Sequence, residues 1–447
     1  MSHHVTFKDL PEGGEKFDPA KASGLITPLL GLGLLGLVGS IYFFITKPAE
    51  FAYSWLFAFF FCFTFVVGGC FWILLHNASN SSWGVVIRRL FENLANLVPV
   101  VFVLSLPLFL IPSVKDSLYE WMVHHHHAIE HVKEAAAHGD SHLKGGAAIK
   151  EALHHAGHHT LSAKFGYLNI SQHFQPVAFS WNTRFILYFL VLWYIARTLR
   201  NKSLQQEVDG DIKHTISARN FSCQWLLPFG LTATFAALDW IMTIDYNWFS
   251  TMWGVYIFAG CAWSSMSIMI LLVTYLRSLG YLQKVVSDEH YHLMGKLLFA
   301  FTVFWAYIAF SQYFLIWYAN ITEETRWYLT RNTGGWRWVS ILLVLGHFVA
   351  PFVLLLSQTR KKKPFVVCMV GIWILLMHML DIYWNVIPER GPSLGLGVVA
   401  PGAWVGDVVA VVTVTSLTAY AFLRSLGKYS LYPWRDPRLL ESVNVVN

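Results

Sequence analysis

Apolar runs of about 20 residues, the length a helix needs to cross a bilayer, recur ten times in this chain of 447 residues. They lie near Gly24 to Thr46, Phe51 to Leu75, Phe91 to Ile111, Asn182 to Ala196, Phe221 to Thr243, Trp248 to Leu276, Leu293 to Trp317, Val339 to Leu356, Phe365 to Val386 and Val405 to Leu423. The runs are continuous rather than alternating, which predicts helices and not the strands of a membrane barrel. The chain therefore reads as an all-α, polytopic membrane protein with ten transmembrane helices.

Only 13% of the residues are charged and 55% are hydrophobic, against about 25% charged in soluble domains. That balance excludes a soluble enzyme. The net charge of +6 is carried by Lys and Arg in the connections and calls for no nucleic acid. Residues 1–23 are polar and lack the short apolar core of a cleaved signal, so the first run is predicted to be a retained span. Residues 24–423 form the membrane domain, with a long insert at 112–181, and 424–447 form a polar tail.

The positive-inside rule orients the spans. The N-terminus, every second connection and the tail together hold 20 Lys and Arg, against 10 on the other side. Both termini are expected in the cytoplasm and the insert outside. The insert contains HHHHAIEHVKEAAAHGDSHLKGGAAIKEALHHAGHHT from His124. His127 and His131 stand at i and i+4 of an expected short helix, a spacing that can chelate a metal; a solvated, low-complexity His tract is the plainer reading. The five cysteines show no CxxC or CxxCH spacing, so neither an iron–sulfur ligand set nor a covalent haem site is present.

Ionisable residues inside spans are costly and point to function or to buried pairs. In the stretch FAALDWIMTIDYNWFSTMWGVYIFAG at Phe235 to Gly260, Asp239 is expected in the outer half of the membrane and Asp245 at its outer interface. His378, Asp381 and Asn385 share a stripe of the ninth span at i, i+3, i+7, and Asp407 lies about a turn inside the tenth. Three acids and one His in one leaflet suggest a wet cavity, the alternative being hydrogen-bonding glue between helices. Lys296, Tyr307, Ser311 and Tyr318 align on one face of the seventh span, as a water-assisted proton wire would require, although Lys296 alone can snorkel. His347 and His378 fall at comparable depths on sequential helices, the arrangement a bis-His haem would need. An intramembrane His is more often a hydrogen-bonding residue.

Four stretches resemble a known family: LDWIMTIDYNWFSTMWGVYIFAG; GKLLFAFTVFWAYIAFSQYFLIWYAN at Gly295 to Asn320; Lys164 with YLN at Tyr167 to Asn169, followed by Arg184; and DPRLLES at Asp436 to Ser442. They are similar to the NrfD-like (polysulfide-reductase-type) membrane subunits of bacterial alternative complex III, and most of all to the ActF type, or quinone-binding subunit 2. The resemblance implies two four-helix bundles plus two peripheral helices in the bacterial inner membrane. It also implies partners: a sister NrfD-like subunit, an iron–sulfur subunit, multihaem c-type cytochrome subunits, small membrane subunits and a terminal oxidase. In such a respiratory complex quinol is oxidised and electrons pass to a periplasmic acceptor. A subunit of this type holds no redox centre or catalytic residue of its own and contributes a proton-conducting, quinone-adjacent bundle. The His-rich insert departs from the family pattern. A proton-coupled secondary transporter and a purely structural scaffold are the competing readings.

Overall fold

In the computed structural model, residues 5–137, 146–169, 180–393 and 404–446 are described. Among them there is no strand, and a single bridge pairs Lys16 with Ser430. The long helices are α1 (Ser23–Thr46), α2 (Pro48–Ala78), α3 (Val85–Ala95), α4 (Val98–Leu110), α5 (Trp181–Asp209), α6 (Lys213–Trp240), α7 (Trp253–Ser278), α8 (Asp288–Ala319), α9 (Trp336–Leu356), α10 (Pro364–Val386) and α11 (Trp404–Leu426). With α3 and α4 taken as one run, nine helices among the described residues are long and apolar enough to cross a membrane. The fold is that of a polytopic helical membrane protein.

Helix α2 is the axle. It is apolar on every side, and a helix of that kind belongs in an interior; from Phe51 to Asn77 nearly every side chain is buried. It packs against α7, α11, α3 and α6. Gly68 lets α2 touch α7, since a Cβ there would stand 2.1 Å from the Cys261 carbonyl oxygen. Helices α1 and α11 meet through Gly33 and Gly36, which lie against Leu417 and Thr413, the small-residue packing that replaces hydrophobic drive in lipid.

Two expected spans have features that the sequence did not show. The run from Phe91 to Ile111 is broken after Ala95, because Pro99 has no N–H for the Ala95 carbonyl and its ring would collide with it. Asn96 fills the break by donating to the Glu92 and Ala196 carbonyls. The run at Asn182 to Ala196 is only the start of α5, which continues to Asp209 and ends at Gly210 with φ of 72°. Polar residues continue it because they are paired: Arg200 donates to Asn93 at 2.8 Å, while Glu207 binds Arg89 and Ser430. Its apolar core is short, with Asn182, Thr183 and Arg184 before it and Arg197 and Arg200 after it, so α5 is not among the nine apolar helices.

Both termini meet at one end of the bundle. Val5 N–H donates to Asn444 at 2.9 Å and Leu431 N–H to the Glu15 carbonyl at 2.7 Å. The tail is locked there by Asp436, which accepts from Arg88 at 2.8 Å. Burial would push the Asp436 carboxyl up, but Arg88, Arg438 and the Arg438 N–H together hold it below the usual range. At the other end Lys164 of the insert donates to the carbonyls of Tyr246 and Trp248, at 2.6 and 3.4 Å.

Candidate functional site

The three acids expected to share one outer-half cavity are held in three separate places. Asp239, at the end of α6, is fully buried and lies in the fork of Arg184 from α5, with contacts of 2.8 and 2.9 Å, and accepts from the Tyr188 hydroxyl at 2.6 Å. The Arg184 guanidinium also covers the Tyr167 ring at 4.3 Å. Asp407, at the start of α11, is gripped by Arg390 at 2.8 and 3.1 Å and accepts from Ser54 and Tyr383. Both are bidentate ion pairs that fasten neighbouring helices.

Asp381 differs. Its carboxylate accepts from the Tyr256 hydroxyl, from Trp305 Nε1 at 3.3 Å and from Asn385 Nδ2 at 3.4 Å. All three donors are neutral. Among the described residues no cation lies within ion-pair distance, although the side chain is 2% exposed. A buried carboxyl without a counter-ion is expensive in its charged form.

Asp381 also lines a cavity of about 720 Å³. Tyr256 of α7, Trp305 and Gln312 of α8, Tyr328 of the short helix Thr322–Asn332, Ser340 of α9 and Trp384 of α10 contribute to its polar lining. Gln312 donates to Tyr328 at 3.1 Å and accepts from Ser250 at 2.8 Å. Lining residues Phe310, Tyr313, Ile341 and Val344 are exposed, so the cavity opens sideways between α8 and α9. Arg337 lines it as well. The chamber is largely apolar, with one acid and several hydrogen-bonding groups in its lining. It suits an amphiphile that arrives from the bilayer and exchanges protons.

Behind Trp305, α9 widens into a π-helical turn over Leu343–Val349. Pro351 has no N–H to offer the His347 carbonyl, which loosens the ladder there. His347 and His378 do face one another, with ring centroids 6.4 Å apart. His347 stacks on Trp263 at 4.6 Å and meets Trp305 at 4.1 Å. His378 contacts Phe61 and shares a 3.0 Å hydrogen bond with Thr64. Both imidazoles have the packing of core residues.

The stripe on α8 is a correction. Tyr307 is 64% and Tyr318 77% exposed, Lys296 is exposed and Ser311 half-buried, so the face points out of the bundle and lines no interior wire. The wheel fixed which residues share a face, while the inward face is the one bearing Leu298, Thr302, Trp305, Ile308 and Gln312. Asp245 lies in the turn between α6 and α7 and accepts from the Asn247 N–H at 3.1 Å. His127 and His131 are exposed on the helix Glu120–Ala137, and no group of three metal-binding residues occurs among the described residues. His138 and His142 lie outside them.

Sequence reasoning missed Tyr256, Gln312, Tyr328 and Arg337 as companions of Asp381, and Arg390 as the partner of Asp407. Tyr256 and Gln312 lie within the two long aromatic blocks, which was the available signal; nothing local marks the other three. Fold and site together define a polytopic helical membrane protein with a laterally open cavity around one acid that no cation pairs among the described residues. In comparisons with known proteins, no family model matches the chain, and no curated protein matches it either.

Proposed function

We propose that this chain is an ActF-type, NrfD-like membrane subunit of a quinol-oxidising respiratory complex of the alternative-complex-III kind. In this reading ten helices cross the bacterial inner membrane, with both termini in the cytoplasm and the His-rich insert in the periplasm. The subunit holds no redox centre, and iron–sulfur and haem c partners carry the electrons. Its own task is protonic. The observation that carries the reading is the Asp381 carboxyl, open to a bilayer-facing cavity and held only by neutral donors.

Quinol oxidation yields two electrons and two protons. Asp239 and Asp407 are poor proton carriers, because protonating either strips a buried guanidinium of its counter-ion. Asp381 carries no such penalty. Tyr256 and Asn385 orient the carboxyl, and the Tyr256 hydroxyl can follow its charge. The two long aromatic blocks support the same reading, since one supplies Asp239 and Tyr256 and the other Trp305 and Gln312. Exterior residues Lys296, Tyr307, Ser311 and Tyr318 are then a flank toward lipid or a sister subunit.

A proton-coupled transporter is favoured by one observation, the π-helical turn beside the cavity, since transporters place interrupted helices at their sites. Purification from the native membrane separates the two. Co-migrating iron–sulfur and haem c polypeptides support the redox subunit, whereas a chain that runs alone and binds a soluble substrate supports the transporter.

A further inference from the structure

A second cavity, of about 590 Å³, lies between α4 and α5 and shares no residue with the Asp381 chamber. Its polar end holds Lys115, Asn182 and Thr183, and its apolar wall runs along α5 through Ile186, Leu187 and Leu190. From Thr183 to Leu190 the wall descends about 10 Å at 1.5 Å per residue. Phe109 closes the α4 side, where its stacking on Phe185 at 4.8 Å holds it in place.

Lys115 is half-buried on the short helix Pro112–Leu118. Among the described residues no carboxylate lies within ion-pair distance of it. Its neighbour Asp116 lies instead beside His126, at 3.9 Å. Residues 170–179, which lead into α5, contain no Asp or Glu and supply no carboxylate either. Burial pulls the Lys115 ammonium below its usual range, with Asp116 only partly offsetting. Next to it, the Asn182 side-chain oxygen is buried without a hydrogen-bond partner, and a half-turn of the amide presents its NH₂ there instead. Below this polar end Ile186, Leu187 and Leu190 are 40%, 48% and 54% exposed, an apolar strip left open by the described residues.

A lone ammonium and two hydrogen-bonding side chains stand where α5 begins, at the level of bilayer headgroups, above an open apolar strip. We propose that the α4–α5 groove is a binding site for an anionic glycerophospholipid, with its phosphate on Lys115, Asn182 and Thr183 and its acyl chains along Ile186, Leu187 and Leu190. The charge selects the occupant: a zwitterionic lipid brings its own cation to the phosphate, whereas an anionic headgroup leaves that place to Lys115.

The test uses the full chain purified in detergent. Phosphatidylglycerol, phosphatidylcholine and inorganic phosphate are added separately, and binding is read by native mass spectrometry and thermal unfolding. The proposal expects phosphatidylglycerol to bind and stabilise most, inorganic phosphate to do neither, and Lys115→Gln to weaken phosphatidylglycerol about fivefold. Lys133→Gln, on the exposed insert helix, is expected to keep the preference. Should Lys115→Gln fail to fold, Leu187→Trp, which fills the strip from its exposed side, is expected to exclude the lipid. Equal binding of both lipids, equal stabilisation by inorganic phosphate, or a protein crosslinked from position 187 in place of lipid would overturn the proposal.

Discussion

The Arg184 guanidinium grips Asp239 by two hydrogen bonds, Nε to Oδ2 at 2.8 Å and Nη2 to Oδ1 at 2.9 Å, with no solvent on the acid. Removing one partner strands the other charge, which typically costs about 3–5 kcal/mol. Asp239→Asn and Arg184→Met are each expected to lower the yield of folded protein and its unfolding temperature. The double variant Arg184→Met, Asp239→Asn is expected to lose less than the two single variants summed, because replacing both charges removes the stranded one. Additive losses in this cycle would mean the pair does not act as a unit.

Contact between α2 and α7 depends on Gly68. The atom a Cβ would meet is the Cys261 carbonyl oxygen, on backbone that cannot swing aside, with Ser265 close behind. Gly68→Ala is therefore predicted to destabilise by about 1–3 kcal/mol, the usual range for overpacking. Gly230→Ala, with nothing within 4 Å of its Cβ position, serves as the neutral control. Thermal unfolding of the two variants side by side checks the difference.

Docking of the His-rich insert should weaken in acid. His125 is fully buried against Phe165, with rings 5.2 Å apart and nearly parallel, and burial pushes it down to about 4. His124 is lowered too, first by burial and then by His158, whose ring stacks on it at 3.8 Å. Released from the fold, both return toward an ordinary histidine value of about 6.5. The undocked state then binds more protons below that pH. Docking is at full strength above about pH 6.5 and loses up to about 1.4 kcal/mol per pH unit for His125 as the pH falls toward 4. Limited proteolysis at Lys133 and Lys150 should accelerate between pH 7.5 and pH 5, and His125→Phe should flatten that response. A rate independent of pH would contradict it.

Sidedness has a direct check. Protease added outside intact spheroplasts is expected to cut between Lys133 and Lys164 and to spare the run Arg360 to Lys363. The reverse pattern inverts the proposed orientation.

The membrane fold was legible because spanning runs are a one-dimensional signal: composition and length placed the apolar helices almost without help. Two features went unread because they rest on local chemistry that hydropathy averages over, the Pro99 break and the paired polar half of α5. The site was legible by halves. Spacing put His378, Asp381 and Asn385 on one stripe, and the structure places them together on the inward face of α10, all buried. Spacing could not tell which acid has a counter-ion, since Arg184 lies 55 residues from Asp239 and only the fold brings them together. Nor could it tell the inner face of α8 from the outer, because both carry aromatic residues and both are largely apolar.

The central claim is that Asp381, alone among the buried acids of the helix bundle, moves protons, and Asp381→Asn tests it most directly. An amide keeps a carbonyl for the Tyr256 hydroxyl and breaks no ion pair, so the complex should assemble and melt as the wild type does, unlike the Asp239 variant. Quinol turnover by the purified complex is predicted to fall about 100-fold, the low end of what a positioned acid–base group supplies, with proton release falling in step. Full turnover with normal proton release in the assembled Asp381→Asn complex would contradict the account and leave the cavity without a protonic role.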